Sequence, residues 1–128
     1  GGEPLLQADL ALIGALAERF AWLDIETNGT RPCPSPRPEN CSLVCSPKAI
    51  PGAPLRCQPD AWKILIPDQL AFLDQALASA APVWLQPTCP DDGPSGAVYQ
   101  AHLAHCLELA FRHGCRLSLQ LHKYLGLP

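Results

Sequence analysis

Carboxylate, amide, hydroxyl and ammonium side chains stand at several points of this sequence directly after short apolar runs, next to glycine or proline. Gly1-Gly2-Glu3-Pro4 combines a backbone that a ligand can approach closely with a carboxylate able to pair with an ammonium, and the same four residues also suit a plain turn. Glu26-Thr27-Asn28-Gly29 offers carboxylate and amide oxygens that can accept from ribose hydroxyls, while Asn-Gly is equally a strong turn dipeptide. Cys45-Ser46-Pro47-Lys48 sets a hydroxyl beside a point positive charge suited to a carboxylate, or is a solvated lysine after a proline turn. In Leu85-Gln86-Pro87 the main chain beside proline can bond the edge of a flat base; a structural glutamine accounts for it as well. His122 can hydrogen-bond a substrate and titrates near neutral pH, although one histidine after a strand is more often structural.

Metal chemistry has less support. Cys41 and Cys45 are four apart, with Cys33 and Cys57 further off and no C-x-x-C pair, so an ordinary zinc site is not indicated. His102, His105 and His113 share a helical stretch with Cys106, but no second pair of ligands accompanies them, and a helix surface is the favoured reading.

The elements that must position these groups follow from periodicity. Leu10, Ile13, Leu16, Ala17 and Phe20 predict a helix over 8–20, with Asp9 near its start and Arg19 near its end as the macrodipole prefers. Short strands are expected over 22–26, 42–45, 63–66, 82–86 and 116–121. Asp68 is placed to cap a helix over 69–80 whose buried stripe is Leu70, Phe72, Leu73, Ala76 and Leu77. The longest helix runs over 97–113 and stops before Gly114. Pro32, Pro34, Pro36 and Pro38 make 30–40 an irregular loop, and 49–61 is a second. Strand–helix alternation with connections too long for hairpins predicts α/β with a mainly parallel sheet and helices covering a face. Such sheets gather ligands at the C-terminal ends of their strands. Glu3, Glu26 to Asn28, Ser46, Gln86 and His122 fall at such ends and would converge on one pocket; strands that merely end in polar turns give the same pattern.

Composition sets the outer bounds. A chain of 128 residues is enough for one domain and not for two. Apolar residues make up 48% and charged residues only 16%, a balance that suggests a surface meant to be covered. The net charge of -3 with no basic block argues against nucleic-acid or anionic-membrane partners. No apolar run approaches the roughly 18 residues of a membrane span, and no leader opens the chain. Seven cysteines, an odd number, imply reduced thiols and a cytoplasmic setting. The absence of methionine, even at position 1, predicts that residues upstream of Gly1 are missing.

Taken together and in order, GGEPLLQ, ETNG, SPK, KILIPDQ, LQP and LHKYLG resemble the 7-carboxy-7-deazaguanine synthases, radical S-adenosylmethionine (SAM) enzymes of the 7-deazapurine (queuosine) pathway. Gly-Gly-Glu-Pro is shared by radical SAM proteins generally, whereas SPK and LHKYLG are more specific, and the resemblance spans essentially the whole chain. It implies a partial, abbreviated radical SAM (β/α) barrel with mainly parallel strands, residues 1–128 being the C-terminal part of a single domain without its N-terminal cluster-binding part. In such enzymes a [4Fe-4S] cluster and SAM generate a radical that abstracts hydrogen from 6-carboxy-5,6,7,8-tetrahydropterin, which loses ammonia to give 7-carboxy-7-deazaguanine, with Mg2+ assisting.

Carried over by position, Gly1, Gly2 and Glu3 would bind the methionine amino group of SAM. Glu26 and Asn28 would line its pocket, Ser46 and Lys48 would contact its ribose and carboxylate, and Gln86 its adenosyl side. His122 and the terminal carboxylate of Pro128 would contact the pterin. The cluster and magnesium ligands would lie outside this chain, since no cysteine here matches the family's triad. This piece alone should be inactive, with exposed barrel edges. An external reductant such as a flavodoxin and a homodimer are further expectations. The competing readings are a different radical SAM activase or maturation enzyme, separated by turnover of the pterin, and a non-catalytic SAM-binding α/β module, separated by iron and sulfide content.

Overall fold

Apolar runs alternating with proline-rich connections become short strands and helices. In the computed structural model, which describes residues 2–48, 54–91 and 93–127, these are α1 (Leu10–Arg19), β1 (Leu23–Thr27), β2 (Cys41–Cys45), β3 (Ala61–Ile66), α2 (Leu73–Leu77), β4 (Val83–Pro87), α3 (Ala97–His113), β5 (Arg116–Leu117) and α4 (Leu121–Tyr124). Turns of 3-10 helix occupy Pro4–Leu6 and Leu70–Phe72. The strand order is β1-β2-β3-β4-β5, and β1 with β2, β2 with β3 and β4 with β5 run parallel, the expected α/β class. The chain divides into two compact units, Gly1–Trp62 and Lys63–Pro128.

In the first unit β1 and β2 pair along their whole length, from Leu23↔Cys41 to Thr27↔Cys45. Ile25 and Thr27 are buried while Asp24 and Glu26 are exposed, the period-two pattern of a strand covered on one face. Ile13 of α1 packs with Ile25, Cys41 and Leu43, and Leu5, Ala8, Leu23, Cys33 and Cys57 close around them. Each full burial of a side chain such as Leu43 contributes about 1.5–3 kcal/mol. Asp9 caps α1 by accepting the Leu12 N–H at 2.8 Å, which satisfies a donor that the helix leaves orphaned. At its far end the Asn40 amide donates to the carbonyls of Ala17 (2.8 Å) and Phe20 (3.0 Å), so the proline loop 30–40 is fastened to the helix it follows.

In the second unit α3 packs on β4 and β5 and buries Tyr99, Cys106 and Leu109. It stops at Gly114, whose φ of 68° is left-handed, as expected of a glycine closing a helix. Ile64, Ile66 and Leu85 are fully buried.

Four sequence expectations are corrected. Asp68 does not cap a helix over 69–80. The segment starts as the 3-10 turn Leu70–Phe72, the Leu70 N–H goes to the Pro67 carbonyl, and the Asp68 carboxylate instead accepts from the Thr88 hydroxyl at 3.0 Å. Leu70 is exposed rather than part of the buried stripe, because the 3-10 turn rotates it away from Phe72 and Leu73. The last strand ends at Leu117 rather than Leu121: after Ser118 donates to the Leu85 carbonyl, Pro87 has no N–H with which β4 could extend the ladder, and the chain turns into α4. Cys106 is not on the helix surface with its neighbouring histidines; it is fully buried.

Gly29 follows β1 with a φ of +78°, and a Cβ there would lie 2.7 Å from Leu55 Cδ2 and 3.0 Å from Cys45 Sγ. Gly114 shares the left-handed conformation, but a Cβ on it meets nothing within 4 Å. Gly29→Ala should therefore lose about 2–4 kcal/mol of unfolding free energy and Gly114→Ala about 1–2 kcal/mol. Urea titration of the two variants measures the difference, and equal losses would show that the contact with Leu55 and Cys45 carries no cost.

Candidate functional site

The Gly-Gly-Glu-Pro and Glu-Thr-Asn-Gly stretches meet in the first unit. Glu3 precedes the 3-10 turn Pro4–Leu6, and its carboxylate is the hub. One oxygen accepts the Leu5 N–H at 3.1 Å and the Thr27 hydroxyl at 2.7 Å, and the other accepts the Asn28 N–H at 2.7 Å. Thr27 in turn receives the Gly29 N–H at 3.1 Å, so both the carboxylate and the hydroxyl hold the turn after β1 in shape. A carboxylate offers about four acceptor positions; donors among the described residues use three, and a further donor such as a ligand ammonium suits the fourth.

Asn28 has a different job from the one its type suggests. Its side-chain oxygen accepts from the Thr30 N–H (2.9 Å) and hydroxyl (2.7 Å), forming an Asx turn, and its backbone carbonyl accepts the Lys48 N–H at 3.2 Å. Ser46 donates its N–H to the Thr27 carbonyl at 2.8 Å. Glu3, Asn28, Ser46 and Lys48 are thus gathered where β1 and β2 end, in parallel register. Lys48 is exposed and Ser46 half-buried. Gly2 is exposed beside them, and Gly1 lies outside the described residues. Glu26 is exposed inside β1, on the face opposite Ile25 and Thr27.

In the second unit Gln86 is buried near the end of β4, and its side-chain oxygen accepts from the Ser118 hydroxyl at 3.2 Å. His122 is exposed on α4, and Pro128 lies outside the described residues. What holds α4 is a set of contacts to its neighbours. Tyr124 donates to the buried Tyr99 hydroxyl at 2.8 Å with the rings edge-on at 5.8 Å, and Lys123 Nζ reaches the Cys89 carbonyl at 3.5 Å. Burial pushes the Tyr99 hydroxyl well above the usual phenol range, so it stays a neutral partner. His102 Nδ1 lies 2.8 Å from the Thr88 carbonyl, which only accepts, so this nitrogen carries the proton.

From the sequence, Thr27 enters only as part of the run Glu26 to Asn28, and Tyr99 and Lys123 are not among the expected site residues. Thr27 had a signal, a polar residue at the inward position of an alternating strand; Tyr99 and Lys123 had none, because their partners are 25 and 34 residues away. Among the described residues no group of three histidine, cysteine or acidic side chains is placed to hold a metal ion.

The parallel α/β sheet fits a partial radical SAM-type fold, and the chain superposes on the crystal structure of QueE from Escherichia coli with a TM-score of 0.67 and 25% identity, over 94% of this chain and 54% of that one. In sequence it is 39% identical over 132 residues to the 7-carboxy-7-deazaguanine synthase of Caulobacter vibrioides and 38% identical over 132 residues to that of Bordetella pertussis, in both cases across 100% of this chain and 57% of the relative. The chain is similar in sequence to curated 7-carboxy-7-deazaguanine synthases, and it spans little more than half the length of those it matches. No family profile matches it.

If Glu3 and Thr27 act as one unit, Glu3→Gln and Thr27→Val should each cost about 1–3 kcal/mol, and the double variant should cost less than their sum by about 0.5–3 kcal/mol. A double-mutant cycle by chemical denaturation reads this coupling; strict additivity would mean that the hydrogen bond carries no stability.

Proposed function

We propose that this chain is the SAM- and substrate-contacting part of a 7-carboxy-7-deazaguanine synthase, which converts 6-carboxy-5,6,7,8-tetrahydropterin to 7-carboxy-7-deazaguanine with loss of ammonia. The observation that carries the reading is the Glu3 hub, which holds Thr27 and Asn28, the residues whose carbonyls accept the Ser46 and Lys48 N–H groups. That donor and acceptor set suits an amino acid moiety: a carboxylate for its ammonium and a lysine for its carboxylate. SAM, when bound, would supply the radical chemistry. The chain's own residues orient it: Glu3 and the exposed Gly2 backbone at the methionine amino group, Ser46 at the ribose, Lys48 at the carboxylate, with Glu26 and Asn28 alongside.

Gln86, its oxygen already committed to Ser118, would present main chain to the adenosyl side, and His122 and Pro128 would meet the pterin. Ligands for the [4Fe-4S] cluster and for Mg2+ would come from the rest of a longer protein, within one radical SAM domain. An external donor such as a flavodoxin would supply electrons to a cytoplasmic homodimer. No helix among the described residues is long and apolar enough to cross a membrane.

The test is made on the full-length, cluster-loaded protein. Lys48→Ala should weaken SAM binding about tenfold, near 1.4 kcal/mol, in calorimetric titration. His122→Ala should leave SAM affinity within twofold while raising KM for the pterin. Failure of the parent protein to consume the carboxytetrahydropterin while still cleaving SAM would point to a different radical SAM enzyme.

A further inference from the structure

Apart from the strand-end residues, the first unit contains a cavity of about 350 Å3 whose polar lining is Ser35, Arg37, Arg56, Gln58 and Asp60, with prolines and two cysteines between them. Its walls are the proline loop 30–40 and the segment leading into β3. Two guanidinium groups and one carboxylate give the lining a net positive charge.

These charged groups are unequally satisfied. Arg37 pairs with Asp60 through a terminal nitrogen, and the same carboxylate oxygen, Oδ2, accepts the Leu43 N–H at 2.8 Å. That pair cancels in charge and is tied to β2, so the surplus positive charge is that of Arg56. Three groups are left over among the described residues. The buried Arg37 Nε has no acceptor, Asp60 Oδ1 receives no donor, and the exposed Arg56 guanidinium has no carboxylate partner. Arg56 is nevertheless anchored by its backbone, whose N–H donates to the Gly29 carbonyl at 2.9 Å. A buried N–H without an acceptor costs about 1–3 kcal/mol, so an oxygen-rich anion in this cavity has something to gain from both arginines.

We propose that this cavity binds a small hydroxylated phosphate monoester, of the kind a sugar phosphate represents. The phosphate takes donors from Arg56 and from Arg37 Nε, since a guanidinium suits phosphate oxygens in both charge and shape. The Ser35 hydroxyl and the Gln58 amide, on the same lining, add neutral donors. A hydroxyl of the organic part donates to Asp60 Oδ1, the anionic acceptor left open on the wall. Size decides against a bare ion, because sites for small organic ligands begin at about 300 Å3. The donors stand on two separate segments, which a tetrahedral phosphate bridges better than a planar carboxylate with two oxygens. Charge decides against a cation. The site lies apart from the Glu3 hub, and the proposal does not rest on the SAM reading. Binding joins loop 30–40 to residues 56–60 and so steadies the cover over β2.

The test uses the full-length protein in a phosphate-free buffer at low salt, titrated calorimetrically with ribose 5-phosphate, inorganic phosphate and ribose. Ribose 5-phosphate should bind about tenfold more tightly than inorganic phosphate, the worth of one hydroxyl bonded to a carboxylate, and ribose should give no heat of binding. Arg56→Gln should weaken the ester about tenfold. Hydrogen exchange read by mass spectrometry locates the site: the ester should protect amides within 30–40 and 54–60 and leave those of α3 unchanged. No heat with the ester, equal affinity for ester and inorganic phosphate, undiminished affinity in Arg56→Gln, or protection that misses 30–40 and 54–60 would overturn the proposal. The exchange map of the unsubstituted chain needs no variant to fold.

Discussion

The carboxylate of Glu3 is the constraint on which the first unit depends. It joins the opening turn to the end of β1 by accepting donors from Leu5, Thr27 and Asn28. Charge-assisted hydrogen bonds of this kind are about twice as strong as neutral ones, and removing the acceptor would leave the half-buried Asn28 N–H and the buried Thr27 hydroxyl without it. Because β1 and β2 are in parallel register up to Thr27↔Cys45, fixing the turn after β1 also fixes where Ser46 and Lys48 stand. One anion therefore serves both the architecture and the proposed ligand contact, and its acceptor capacity sets how much it can do of each.

Among the described residues, the connections between the strands of this unit are made without helices. Between β1 and β2 the chain runs through four prolines at alternate positions, which cannot supply a helical hydrogen-bond ladder. Polar anchors replace that ladder: Asn40 onto the end of α1, Asp60 onto the Leu43 N–H, and Arg37 onto Asp60. Such a cover packs less tightly than a helix, and the cavity beside Cys33 and Cys57 is what remains open beneath it. The second unit solves the same problem conventionally, with α3 burying Tyr99, Cys106 and Leu109 against the strands and Tyr99 then serving as the anchor for α4. A hydroxyl pair at the edge of an apolar contact holds a four-residue helix that could not persist alone.

Local chemistry made much of this legible before any coordinates. Helix α3 ends where Gly114 allows a left-handed residue, α1 begins at Asp9, and each strand lies within two residues of its expected start because alternation and proline mark it. The nearness of Asn28 to Ser46 and Lys48 also follows from sequence order, since in a parallel sheet consecutive strands deliver their ends to the same side, whereas Glu3, which stands before a 3-10 turn, joins them through its hydrogen bonds to Thr27 and Asn28. The likeness to the 7-carboxy-7-deazaguanine synthases rests on the same ordered motifs.

Partnerships between distant residues were a matter for the tertiary structure. Asp68 had the type and place of a cap yet serves Thr88, because the adjoining turn is 3-10. Leu117 to Leu121 alternates like a strand yet finds no partner past Pro87 and coils into α4. Leu55 and the Cys45 sulfur both come to lie against Gly29, whose missing side chain leaves room for them. Residue type and spacing determine which bonds a segment can make with itself, so the amino acid order alone determined element types and their ends. Which donor meets which acceptor across a fold depends on where the whole chain is buried, and that was decided only by packing.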